Sequence, residues 1–200
     1  MKKKQKERTR SQLPVAILAL GVVGVIGLFI YSIVNSPSEP TMAKTDKADC
    51  THSPVKAGIA GLETALCKSA NHVPDGKQVQ YDSDPPLAGE HWATWAAPGF
   101  YQAAQAPEKL VHNLEHGHVV IYYDQAKLTA DQVTALRTLT AKYTGQWDGV
   151  VAVPRTDGQS ALILTAWEHA LRLTQWDQTR LDAFVDAFRG RGPENPVRPS

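Results

Sequence analysis

The sequence predicts an α+β fold: a small sheet in β-α-β-β-α order with helices on one face, preceded by one N-terminal transmembrane helix. Three observations predict it. An uncharged apolar run covers residues 13–34, long enough to cross a bilayer as a helix. Short β-branched or aromatic runs occupy residues 119–123, 149–154 and 161–167. Two stretches of helical periodicity, residues 129–143 and 177–189, alternate with them.

Residues 1–12 form a basic cytoplasmic segment carrying Lys2, Lys3, Lys4, Lys6, Arg8 and Arg10. Such a flank stays in the cytoplasm and sends the rest of the chain across. The apolar run is longer than a signal-peptide core, and no A-x-A pattern follows it closely, which favours an uncleaved anchor. The expected location is therefore the cell membrane, single-pass, with the globular part in the cell envelope. Residues 35–49 are rich in Ser, Pro, Thr and Lys and predict a flexible linker. Residues 50–189 are the exported globular domain, and residues 190–200 an irregular tail. The formal net charge is only +1, so no global field recruits nucleic acid. The partners to expect are the membrane, through the N-terminal helix, and other envelope proteins.

Cys50 and Cys67 are the only cysteines. Outside the cytoplasm they are expected to pair, with free thiols as the alternative. Closing a loop of that size contributes about 3 kcal/mol, mostly by restricting the unfolded chain.

Within the domain, residues 78–81 suggest an edge strand, and Pro85, Pro86 and Gly89 mark a rigid turn. An aromatic segment with His91, Trp92, Trp95, Phe100 and Tyr101 follows. The strand at 119–123 leads to a helix with Thr129 as N-cap and Val133, Leu136, Leu139, Thr140 and Tyr143 on one stripe. The strands at 149–154 and 161–167, joined by a turn at Arg155-Thr156-Asp157-Gly158, are expected to form a hairpin. The last helix opens at Asp177 and buries Leu181, Phe184, Val185 and Phe188.

Chemistry points to one place. Three of the seven histidines, His112, His116 and His118, fall within seven residues. His112 and His116 share a face if Pro107 and Glu108 begin a helix that Gly117 ends. His116 and His118 share a face if the chain there is extended. His91 is the best candidate for a fourth ligand. His52 and His72 lie in polar, loop-like stretches and look ordinary, while His169 reads as a surface or helix-cap residue. Glu115 is expected to accept a ligand imidazole N–H and fix its orientation. The stretch also spells H-x-x-E-H, the order of inverted zinc peptidases; as a zinc hydrolase it would need a distant ligand, for which Glu168 is the nominee. A third reading leaves the histidines purely structural, capping a helix and bonding carbonyls.

Tyr81-Asp82-Ser83-Asp84-Pro85-Pro86, Gly89-Glu90-His91, Trp95, Gly99-Phe100-Tyr101 and the run from Leu110 to Val119 resemble the bacterial family called domain of unknown function 3105. Thr165-Ala166-Trp167 and Pro193-Glu194 are also similar to that pattern. The resemblance spans about residues 79–194 and implies one N-terminal membrane segment followed by an exported domain. It implies no activity. Its signature histidines map to His91, His112 and His116, and His118 stands outside that signature.

Four imidazoles without thiolate suit copper, with zinc as the alternative, because copper binds a given nitrogen site more tightly. An exported copper site with solvent access can react with a small oxidant such as superoxide. The expected enzyme is thus a copper-dependent, superoxide dismutase-like oxidoreductase holding its ion on His91, His112, His116 and His118. The non-enzymatic alternative is a copper-holding module, or an envelope scaffold whose histidines are structural.

Overall fold

In the computed structural model of the protein, residue 50 and residues 58–198 are described. The predicted anchor at 13–34, the basic segment, the linker and His52 lie outside the described residues. No helix among the described residues is long and apolar enough to cross a membrane.

The described chain runs β1 (Leu62–Thr64), β2 (His72–Val73), β3 (His91–Trp92), β4 (Gly99–Phe100), α1 (Pro107–Glu115), β5 (Val119–Tyr123), α2 (Ala130–Lys142), β6 (Val150–Pro154), β7 (Leu162–Ala166), β8 (His169–Leu173) and α3 (Gln178–Phe188). Six strands form one mixed sheet in the order β1-β8-β7-β5-β6-β4. Pairing is antiparallel from β1 to β5 and parallel from β5 through β6 to β4. The fold is α+β, as the sequence predicts.

Every residue of β5 and β7 is buried, which requires cover on both faces. Val119, Ile121 and Tyr123 point to one side and pack with Leu136 of α2 and with Leu181, Phe184, Val185 and Phe188 of α3. Val120 and Tyr122 point to the other and pack with Leu110, Val111 and Leu114 of α1. Helices therefore cover both faces, not one. The expectation of one covered face fails because α1, only nine residues long, follows a Pro-rich loop and carries polar histidines that mask its apolar stripe.

The helix ends follow local rules. Thr129 and Gln132 form a reciprocal capping box at α2. Asp177 accepts from the Arg180 N–H to start α3. Pro107 starts α1, where its missing N–H costs nothing.

Two further expectations are corrected. β6 and β7 are not a hairpin: β7 pairs with β5 and β8. The link at 155–161 steps across β5, which is already held parallel to β6 by the α2 crossover. The tight hairpin is β7–β8, turning at Trp167-Glu168, where Glu168 has φ 63°. Residues 78–81 form no strand; the Val79 N–H donates to Glu108 Oε1 at 3.0 Å, tying this segment to the start of α1.

Cys50 and Cys67 are joined by a disulfide. The Cys67 N–H donates to Glu168 Oε1 at 2.8 Å, so the bridge is docked on the β7–β8 turn.

Candidate metal centre

The two-residue strands β2 and β3 pair in parallel with His72 directly beside His91. Helix α1 lies against β3 and presents His112, Glu115 and His116, which share a face by their spacing of three and four. Both elements bring imidazoles to one buried point. His91, His112 and His116 are fully buried, and Glu115 is 1% exposed.

Two of these rings are held in a fixed tautomer. His91 Nδ1 donates to the Gly89 carbonyl at 2.8 Å. His112 Nδ1 donates to the Trp92 carbonyl at 2.7 Å. Each then offers the lone pair of Nε2 inward, the arrangement that orients histidine ligands in metal sites. His91 Nε2 lies 2.9 Å from Glu115 Oε2. With the His91 ring neutral, two electron-rich atoms face each other, and only a proton or a cation between them relieves the contact. His112 Nε2 lies 2.9 Å from His116 Nε2, and His72 Nε2 lies 3.9 Å from Glu115 Oε2.

Unpartnered atoms mark the same point. His72 Nε2, Glu115 Oε1, His116 Nδ1 and Glu194 Oε2 are buried without hydrogen-bond partners. Buried polar atoms are nearly always satisfied, so the orphaned His72 Nε2, Glu115 Oε1 and Glu194 Oε2 favour a bound species, while His116 Nδ1 lies on the ring edge away from His112 and Glu194. The donors fall into two sets, each within 4.8 Å: His72, His91, His112 and Glu115, then His112, His116 and Glu194. Bonds of about 2.0–2.1 Å to a tetrahedral ion put donor atoms roughly 3.3 Å apart, a spacing bracketed by the 2.9 and 3.9 Å from Glu115 Oε2 to His91 Nε2 and His72 Nε2.

The surroundings favour the neutral form of His112 and His72. Trp95 packs on His112 and His116 with centroids at 5.2 and 4.6 Å, and Trp147 lies 4.3 Å from His116. Burial, reinforced by the neighbouring His116, pushes His112 down to about 2. Burial likewise lowers His72, with His91 adding to the effect. Neutral imidazole is the form that binds metal.

His118 is not brought into either set. His116 caps α1 with helical angles, and Gly117 turns left-handed at φ 84°. The His118 N–H bonds to the Asn113 carbonyl and the Gly117 N–H to Leu114, a Schellman turn that reverses the chain. The alternation expected for an extended His116-Gly117-His118 therefore does not apply. His118 Nδ1 accepts from Asn113 Nδ2 at 2.8 Å and Nε2 donates to the Gln146 carbonyl at 2.6 Å. Both nitrogens are occupied, and burial pushes this ring down to about 3.

Glu115 makes the imidazole contact expected of it, with His91 Nε2 at 2.9 Å, and has a further place in the cluster. Gly89 and Trp92 carbonyls orient the rings, while the Glu115 carboxylate stands among the donors. Glu168, nominated as the distant ligand of a hydrolase, sits at the β7–β8 turn and accepts from Cys67. His169 is buried in β8, with its ring 4.6 Å from Phe188. Sequence reasoning missed His72 and Glu194. The signal for His72 was its reach to His91 through a strand pair too short to show periodicity.

Fold and site together define an α+β domain with a buried His/Glu cluster that could hold a metal ion. The chain belongs to the family described as protein of unknown function (DUF3105), which matches residues 72–199, more than half of its 200 residues. That span begins at His72 and includes Glu194, so it contains every donor of both sets. No curated protein and no solved structure matches the chain.

Proposed function

We propose that this domain holds one transition-metal ion, copper ahead of zinc, on His72, His91, His112 and Glu115. The observation that carries the reading is the 2.9 Å approach of His91 Nε2 to Glu115 Oε2 with His91 Nδ1 already committed to Gly89. Three imidazoles and one carboxylate suit either ion, and copper has the higher affinity at nitrogen donors.

We further propose that the domain works on the extracytoplasmic side, tethered by residues 13–34. The Cys50–Cys67 disulfide supports an oxidising compartment, and the lysine-rich start supports that orientation. Copper in such a place supplies one-electron chemistry. Two superoxide ions and two protons become one dioxygen and one hydrogen peroxide, an electron being taken from the first superoxide and returned to the second. The burial of His91, His112 and Glu115 favours the second reading, a non-enzymatic copper-holding module, because little of the donor set meets solvent.

Metal analysis of the purified full chain tests the proposal. One equivalent of copper or zinc is expected, and it is lost when His112→Ala and His116→Ala are combined. Absence of bound metal after loading would leave the histidines as packing groups of an envelope scaffold. Superoxide decay with the copper-loaded chain, against free copper, then separates dismutation from holding.

A further inference from the structure

We propose that His112, His116 and Glu194 form an outer position for the same ion, through which it reaches and leaves the inner set. The inference rests on the metal-holding reading for its cargo and adds a route.

The donors fall into two sets that share His112. His112 has a single nitrogen to offer, because its Nδ1 is committed to the Trp92 carbonyl. It cannot bridge two ions, so the two positions are alternatives for one ion that keeps His112 while its other ligands are exchanged. No bond order or oxidation state changes in that step.

The outer set lies nearer to solvent through Glu194 alone, since His112 and His116 are fully buried. Glu194 is 23% exposed, against 1% for Glu115. Its Oε2 lies 3.0 Å from His116 Nε2, yet that buried oxygen has no hydrogen-bond partner. The pair is close enough to share a cation and is not aligned to share a proton.

The chain after α3 is built to keep Glu194 there. The Gly190 N–H donates to the Gly117 carbonyl at 2.8 Å, and the Glu194 N–H to the Glu115 carbonyl at 3.3 Å. Gly192 passes so close that a Cβ on it would lie 2.2 Å from the Glu115 carbonyl oxygen. Arg198 ties the end of the segment to Asp186 at 2.7 Å. This strap therefore runs over the C-terminal end of α1, against Glu115 and Gly117 on either side of His116.

Uptake of zinc(II), followed by stopped flow as it leaves a chromogenic chelator, tests the route on the full chain. Wild type should take up one tight equivalent. Glu194→Gln should slow uptake at least fivefold. His91→Ala should lower affinity at least a hundredfold and leave one weak equivalent, which His91→Ala with Glu194→Gln should abolish. Uptake by Glu194→Gln at the wild-type rate, or equal binding by the His91→Ala single and double variants, would overturn the outer position while leaving the inner one standing. A wild type that takes up no zinc or copper would overturn both. Glu194 lies on the half-exposed strap, so the uptake rate decides the matter even if His91→Ala fails to fold.

Discussion

Glu115 is the residue at which binding and stability conflict. Its carboxylate is buried against His91 with Oε1 unpartnered, and a buried unsatisfied charge is costly. Glu115→Gln gives His91 Nε2 a donor in place of an acceptor. The metal-free domain is expected to gain about 1 kcal/mol, and the rise in melting temperature on adding copper should vanish. Thermal unfolding with and without copper measures both. His118 makes the opposite case. Its two hydrogen bonds to Asn113 and Gln146 are structural, so His118→Ala should cost about 1–3 kcal/mol in urea unfolding, with the copper equivalent retained. The sequence made His91, His112 and His116 legible because imidazoles at helical spacing beside an aromatic loop are a chemical signal. It did not separate His118 from them, because a left-handed glycine cancels the strand alternation only once the helix end is known. Nothing local distinguished His72, whose role comes from a parallel pairing with His91 across the domain.

Elements, rather than single side chains, hold the donors in register. The C-terminal turn of α1 is the critical joint: Gly117 has φ 84°, and a Cβ there would lie 2.5 Å from the Gly192 amide nitrogen. Gly117→Ala adds backbone strain to a collision with the strap and should cost about 3 kcal/mol. Gly158 has a similar φ of 76° but nothing within 4 Å, so Gly158→Ala should cost only about 1 kcal/mol. Paired urea midpoints separate the two contributions, and equal losses would refute the close-packing argument. The strands β5, β6 and β7 and the helices α2 and α3 were legible because length, periodicity and caps agree. The partner of β7 was not. A turn of Trp167 and Glu168 lacks the Asn-Gly or Gly signature of tight hairpins, whereas Arg155-Thr156-Asp157-Gly158 displays turn chemistry without making the hairpin. The strands of two or three residues, β1 to β4, exist through tertiary pairing and leave no pattern of their own.

At the scale of the whole molecule, distant segments are fastened to a sheet that is covered on both faces. The Cys50–Cys67 bridge, 17 residues apart in sequence, fastens the start of the domain and should be worth about 3 kcal/mol, read as the urea-midpoint loss in Cys50→Ser with Cys67→Ser. The Pro-rich loop is fastened by charge: Asp84 accepts from Arg155 at 2.8 and 2.6 Å, a forked contact between that loop and the end of β6. Hydrogen bonds from Arg155 hold the Asp84 carboxyl below its ordinary value. A carboxyl lowered on folding stabilises the protein above its unfolded pKa, near 3.9, and that contribution is lost as pH falls through the lowered folded value. Asp84 is 78% exposed, so the effect is small and screened by salt. Asp84→Asn should therefore be less stable than wild type at pH 7 in low salt. The gap should close as pH falls below the carboxylate range and should shrink in high salt at pH 7. Both chains carry the same buried histidines, so their acid sensitivity cancels in the difference. A gap that persisted unchanged at pH 2 would show that Asp84 acts through loop shape and not through its charge.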